Sequence, residues 1–191
     1  VGAIQNAGSP RATLEVTGIN QSAIQRVNGL SDGEIAFNTW FNDASGQEHA
    51  ALKGLPTVDV LVMYVDAPTV GQPAACLVAK QMNYDWARGE DGSLKGSVMA
   101  LGNGNALEWL DMLSAGMISH ASATNVASKD DAAATTVGII AHLQVKSIAT
   151  GTPTFVIEES SDNGVGDAFT SKLSFTAVAA ASAPTAERKT A

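Results

Sequence analysis

PAACLVAKQMNYDWARGEDGSLKGSVMALGN, residues 73–103, decides the fold class. Its two flanks, AACLVAKQMNY (74–84) and SLKGSVMAL (93–101), read as long strands. Between them ARGEDG supplies Asp91-Gly92, a pair that favours the positive φ of a hairpin turn. Working upstream, 57–65 (TVDVLVMYV) is β-branched and almost continuous, a strand buried on most of both faces, and 66–73 is turn material. Residues 34–41 (EIAFNTWF) put Ile35, Phe37 and Phe41 on one face and Trp40 with Glu34 and Asn38 on the other, so neither side reads as plain solvent. Residues 12–17 (ATLEVT) form a short strand ending at Gly18, and 19–32 read as a long polar loop with scattered Ile24, Val27 and Leu30. The one good helix signal is 45–55 (SGQEHAALKGL), with Ser45 as N-cap, Glu48 three residues on, and Gly54 and Pro56 as the stop.

Downstream, 102–113 is ambiguous between a helix and an irregular strand, and the small, polar 114–136 reads as a linker. Strands are expected at 137–145, 153–158 and 173–178, with the turn SSDNGVGD between the last two. The closing SAPTAERKTA reads as a polar tail without core residues. The expected architecture is mainly β: a β-sandwich or barrel domain with one short helix over 1–116, then a small β-sandwich over 117–191.

Composition excludes several classes. Eleven Lys and Arg against nineteen Asp and Glu give a net charge of −8, the wrong sign for gripping a phosphate backbone. One cysteine allows neither an intrachain disulfide nor a cysteine zinc site. No apolar run approaches the roughly 18–20 residues of a membrane span. The chain opens on Val1 without a charged-then-apolar leader, which leads us to expect no signal peptide and a piece of a longer protein.

The chemistry-bearing residues do not converge. His49, His120 and His142 fall on a helix, a linker and a strand, so surface or satisfied core roles are expected. Cys76 sits in an apolar strand with no cation or helix start beside it, which reads as a small buried hydrophobe. Gly102-Asn103-Gly104-Asn105-Ala106-Leu107 lacks the third glycine of a dinucleotide fingerprint and reads as a turn with left-handed residues. Asp162, Asn163 and Asp167 lack calcium-loop spacing, and SDNG is ordinary turn chemistry. Asn20-Gln21-Ser22 matches a glycosylation acceptor but carries no weight without secretion. No catalytic residue, metal or cofactor is assigned. Of the −8, −6 falls within 1–116, either a solvated face or, if the sheet lines a channel, a wall that repels phosphates.

Residues 13–60, TLEVTGINQSAIQRVNGLSDGEIAFNTWFNDASGQEHAALKGLPTVDV, together with 73–103 and HLQVKSIATGTPTFVIEESSDNG in the second unit, resemble the major tail (tail tube) proteins of long-tailed phages of actinobacteria. The resemblance covers most of the chain and rests on structural patterns. Members start earlier, with Met, and run past this C-terminus into another strand, which leads us to expect a truncated second unit with an open sheet edge. It implies stacked rings, generally hexameric, whose subunits contribute strands to one continuous barrel around a water-filled bore that conducts DNA. It also implies assembly in the bacterial host cytoplasm, location in the virion tail, contacts with tape-measure, tail-terminator and distal tail proteins, and no membrane.

Within that frame Asn20, Gln21, Ser22, Ile24, Arg26 and Leu30 belong to a loop reaching the next ring, while Asp59, Asp85, Glu90 and Asp91 are lumen or ring-contact candidates. The rival expectation is a virion-surface decoration or adhesion module binding host carbohydrate. Its aromatic platform would have to come from Trp40, Trp86 and Trp109.

Overall fold

The structure, a computed structural model, describes residues 2–131 and 137–191, so part of the expected linker lies outside the described residues. It is mainly β. The chain order is β1 (Ala3–Gly8), β2 (Arg11–Glu15), β3 (Arg26–Ser31), β4 (Glu34–Trp40), α1 (Glu48–Leu52), β5 (Val60–Val65), β6 (Pro73–Arg88), β7 (Leu94–Gly102), β8 (Glu108–Asp111), β9 (Ile140–Val145), β10 (Val156–Glu159), β11 (Thr170–Ser174) and β12 (Thr185–Thr190). The chain forms two compact units. One holds the residues up to Tyr64 with Ala75–Trp109, the other Val65–Ala74 with the residues from Leu110 on.

In the first unit the main sheet runs β1-β4-β7-β6-β5, with β8 also paired to β6. The β6–β7 hairpin forms as its sequence predicts. Gly92 has φ +80°, and Asp91 Oδ1 accepts the Ser93 N–H at 2.9 Å. Antiparallel partners share a face, so the register sorts the side chains. Ile35 opposite Ala100, and Phe37 opposite Val98, belong to the core face with Ala75, Leu77 and Ala79. Val60, Val62 and Tyr64 of β5 pack on this core. α1 is tied to the same face, where the Gln81 side chain donates to the Leu52 carbonyl at 2.8 Å.

Several elements differ from expectation. The helix spans only Glu48–Leu52, and Ser45 does not cap it. Asn42 organises its entry instead, its side chain accepting the Ala44 N–H and its carbonyl the His49 N–H. β1, which the sequence reading passed over, pairs with β4 from Ala3↔Asn38 to Gly8↔Glu34. The supposed loop 19–32 contains β3, which pairs with β2 in a hairpin. The ambiguous 102–113 resolves into a turn followed by β8.

The second unit stacks two small antiparallel pairs, β9 with β12 and β10 with β11, around Ala141, Leu173 and Phe175. The expected polar tail is wrong: 185–190 is a strand in full register with β9. Its polar residues are half-buried along their aliphatic stems and tethered at their ends. The Glu187 carboxylate accepts the Thr176 N–H and hydroxyl at 2.8 and 2.9 Å, and Lys189 Nζ donates to the Ser174 carbonyl.

Burial raises the Glu187 pKa, but the Thr176 hydrogen bonds and the Lys189 ammonium outweigh it and hold the carboxyl below its ordinary range. A depressed folded pKa gives stability that is present above the unfolded value and lost as pH falls through the folded one. Between pH 6 and pH 3, thermal melts should therefore show a steeper loss for the native chain than for Glu187→Gln. Equal slopes would mean that this latch does not couple to folding.

Candidate assembly surfaces

The β2–β3 hairpin stands outside the core. Leu14 pairs with Val27, while Thr13↔Asn28 and Glu15↔Arg26 fall on the opposite face. Val16, bonded through its N–H to the Gln25 carbonyl, continues the Leu14 side. One face is therefore apolar and the other polar, yet Leu14 is 68%, Val16 53% and Val27 52% exposed. The tip is tightened by bonds from Gln21 N–H to the Gly18 carbonyl and from Gln25 N–H to Thr17 Oγ1. Ile19 and Leu30 are almost wholly exposed. Asn20, Gln21, Ser22 and Ile24 lie in this tip, and Arg26 and Leu30 lie on β3, so the structure gathers all six into one arm. The apolar face of Leu14, Val16 and Val27 was missed in sequence. Only its upstream half was legible, in the alternation of Leu14 and Val16; downstream the apolar residues Ile24, Val27 and Leu30 are spaced by three, which hides the strand. A two-stranded hairpin of this kind gains little stability alone, and its uncovered apolar face is suited to docking.

The main sheet also has an open face, opposite the core and α1. Its register positions carry Asn6, Asn38, Ser97 and Asn83, with Glu34 and Asp85 against Lys80 and Lys95, and among them the apolar Trp40, Met99 and Leu101, while Ala74 and Cys76 at the start of β6 are buried on this side. Asp59, bound to Lys80, adds a third acid beside these two cations. Of the four acidic candidates only Asp85 belongs to its ladder, where it accepts from the Asn83 amide at 2.6 Å. Asp59 precedes β5 and is bound by Lys80 at 2.8 Å and the Asn103 amide at 2.9 Å, which hold its carboxyl below the usual range. Glu90 and Asp91 sit in the β6–β7 turn, where the Ser93 hydroxyl and N–H lower the Asp91 carboxyl.

The remaining candidates resolve individually. The buried Cys76 thiol is pushed up to about 11 by desolvation and by the Glu108 charge, the opposite of an activated nucleophile. His49 Nδ1 lies 3.2 Å from the Tyr84 hydroxyl, His120 is exposed, and His142 stands opposite Arg188. Gly104, at φ +79°, gives the 102–107 turn its left-handed residue. Asp162 closes its own turn, taking the N–H groups of Val165, Gly166 and Asp167; those of Asp167 and Gly166 do most to lower its carboxyl. Among the described residues no three His, Cys, Asp or Glu gather in a group that could hold a metal ion.

The tryptophans form no single platform. Trp86 is wedged edge-on between Phe41 and Tyr84, at 5.0 Å from each, while Trp40 belongs to the opposite face with Lys95 Nζ 4.8 Å over its ring. Trp109 is exposed in β8. No helix among the described residues is long and apolar enough to cross a membrane. Comparison with protein-family models finds no match to the chain, and comparison with curated proteins finds none.

Proposed function

We propose that the chain is a tail-tube subunit of a long-tailed phage, a structural protein that stacks in rings around a bore through which DNA passes. The observation that carries the reading is the β2–β3 arm, an amphipathic hairpin that leaves its apolar face in solvent. Such a surface needs a partner, and a repeating copy of the same chain supplies one. The main sheet supports the same reading. Its path ends in β1 and β5, and β1 (AIQNAG) carries neither the charge nor the proline that ordinarily blocks edge pairing. Ring closure would pair such edges, and the open, polar face would form the wall of the bore. Partners in the virion tail would be neighbouring copies, the tape-measure protein at the centre, and terminator and distal tail proteins at the ends.

Negative-stain microscopy of the purified protein over a concentration series tests this. Rings or hollow tubes are expected at high concentration. Monomers throughout would overturn the reading, and binding of those monomers to host glycans would establish the adhesion module in its place.

A further inference from the structure

Three Asn-Gly pairs stand in the chain: Asn28-Gly29, Asn103-Gly104 and Asn163-Gly164. Glycine has no side chain to shield its nitrogen, so in each pair that nitrogen is a candidate nucleophile toward the asparagine amide before it. The fold treats the three differently. Asn28 is a ladder residue of β3, opposite Thr13, and the strand pleat holds its side chain out of line with the next nitrogen. At Asn163 the attacking nitrogen and the side-chain amide are both engaged. The Gly164 N–H donates to Ser160 Oγ at 2.7 Å, and Asn163 Oδ1 accepts the Ser128 hydroxyl at 2.7 Å. At Asn103, in contrast, the Gly104 N–H donates to no described residue, and the space beside Gly104 is open. Asn103 is exposed, with its backbone anchored on the Val78 carbonyl. Its amide is held at the end that would leave: Nδ2 donates to Asp59 Oδ1 at 2.9 Å, and the same oxygen takes Lys80 Nζ at 2.8 Å.

We propose that Asn103 is a self-modifying site, at which the Gly104 nitrogen displaces ammonia with the help of Asp59 and Lys80. The Gly104 nitrogen gives its proton to solvent and bonds to Cγ of Asn103, closing a succinimide ring. The Cγ–Nδ2 bond then breaks. Nδ2 leaves as ammonia, with a proton drawn from Lys80 through the Asp59 oxygen that both share, and solvent restores the Lys80 proton. Water opens the ring on either side, leaving aspartate or isoaspartate at 103. Lys80 is the acid and not the nucleophile, because its ammonium protons are committed to Asp59 and to the Thr57 carbonyl 2.6 Å away. The product carries one more negative charge, set against Asp59 where an amide donor stood, with Lys80 left between two carboxylates. Asn103 lies two residues beyond Leu101, the partner of Lys80 across the β6–β7 ladder, so the new charge falls on the open face of the main sheet. The assignment does not depend on the tube reading.

Incubating the native chain in mildly alkaline buffer, with peptide mapping by mass spectrometry and an isoaspartyl methyltransferase assay, tests this. Conversion at Asn103 is expected to run roughly fivefold or more ahead of that at Asn28 and Asn163, where protecting hydrogen bonds must open first. Asp59→Asn and Lys80→Met should each slow the reaction at Asn103 several-fold and leave Asn28 and Asn163 unchanged. Those two sites are internal controls, since a loosened fold would speed all three, and circular dichroism checks each variant directly. Faster conversion at Asn28 or Asn163, or none at Asn103, overturns the site. An unchanged or faster rate at Asn103 in either folded variant overturns the help assigned to Asp59 and Lys80. A stable peptide cross-linked between Lys80 and Asn103, short of one ammonia, would make Lys80 the nucleophile and overturn the route through Gly104.

Discussion

A chain in which residues 11–31 are replaced by Asn-Gly is expected to fold, to melt within a few degrees of the native protein, and to form no tubes. The excision is local because the Asp32 N–H already donates to the Pro10 carbonyl at 2.9 Å, so the two cut ends are neighbours. Every residue of 11–30 except Thr17 is exposed, so the arm contributes little buried surface. Removing such an element should cost about 1 kcal/mol or less. Growth beyond single rings, in contrast, should be lost altogether. Thermal melts by circular dichroism read the first effect and electron microscopy the second. Tubes at native yield would remove the arm from assembly.

The largest stability effect is expected at Leu77. This side chain is wholly buried in β6 at the centre of the first core, and its Cδ1 would lie 2.6 Å from a Cβ built on Gly33. Leu77→Ala should cost about 2–5 kcal/mol in urea unfolding, the lost transfer energy plus the cavity left behind. Gly33→Ala should also destabilise, because its methyl would press on Leu77 and, at 2.8 Å, on the Leu107 backbone nitrogen. The double variant should fall short of the sum, since the shortened side chain at 77 relieves one of those two clashes. Strict additivity would show that the Gly33–Leu77 approach is not what constrains the site.

The elements legible in sequence were those whose neighbours impose a pattern. β6 and β7 lie inside the sheet, so burial enforces their apolar content, and their turn needs a residue that tolerates positive φ, which Asp91-Gly92 supplies. β1, β3 and β12 escaped for the converse reason. They lie at an edge, outside the core or in a two-stranded pair, and AIQNAG, RVNGLS and TAERKT carry the small and polar residues such places tolerate. The short helix was found but its cap was misplaced, because Asn42, upstream of the capping-box pattern, took up the backbone groups. Among site residues, the six arm positions could be gathered by proximity in sequence. The neutralisation of Asp59 could not, because its partners, Lys80 of β6 and Asn103 of the turn after β7, are brought beside it only by the sheet, Asn103 from 44 residues away.

The placement of the arm at one end of β4 would have a consequence for growth of the proposed tube. In the proposed tube, a filament joined head to tail through that arm would have direction: one terminus would display unsatisfied arms, the other the surfaces that receive them. Subunits adding at the two termini make different approaches, so their rates need not match, and elongation can be vectorial without any motor. A cap shaped for one terminus cannot stop the other, so length control at the two ends calls for two unrelated stoppers.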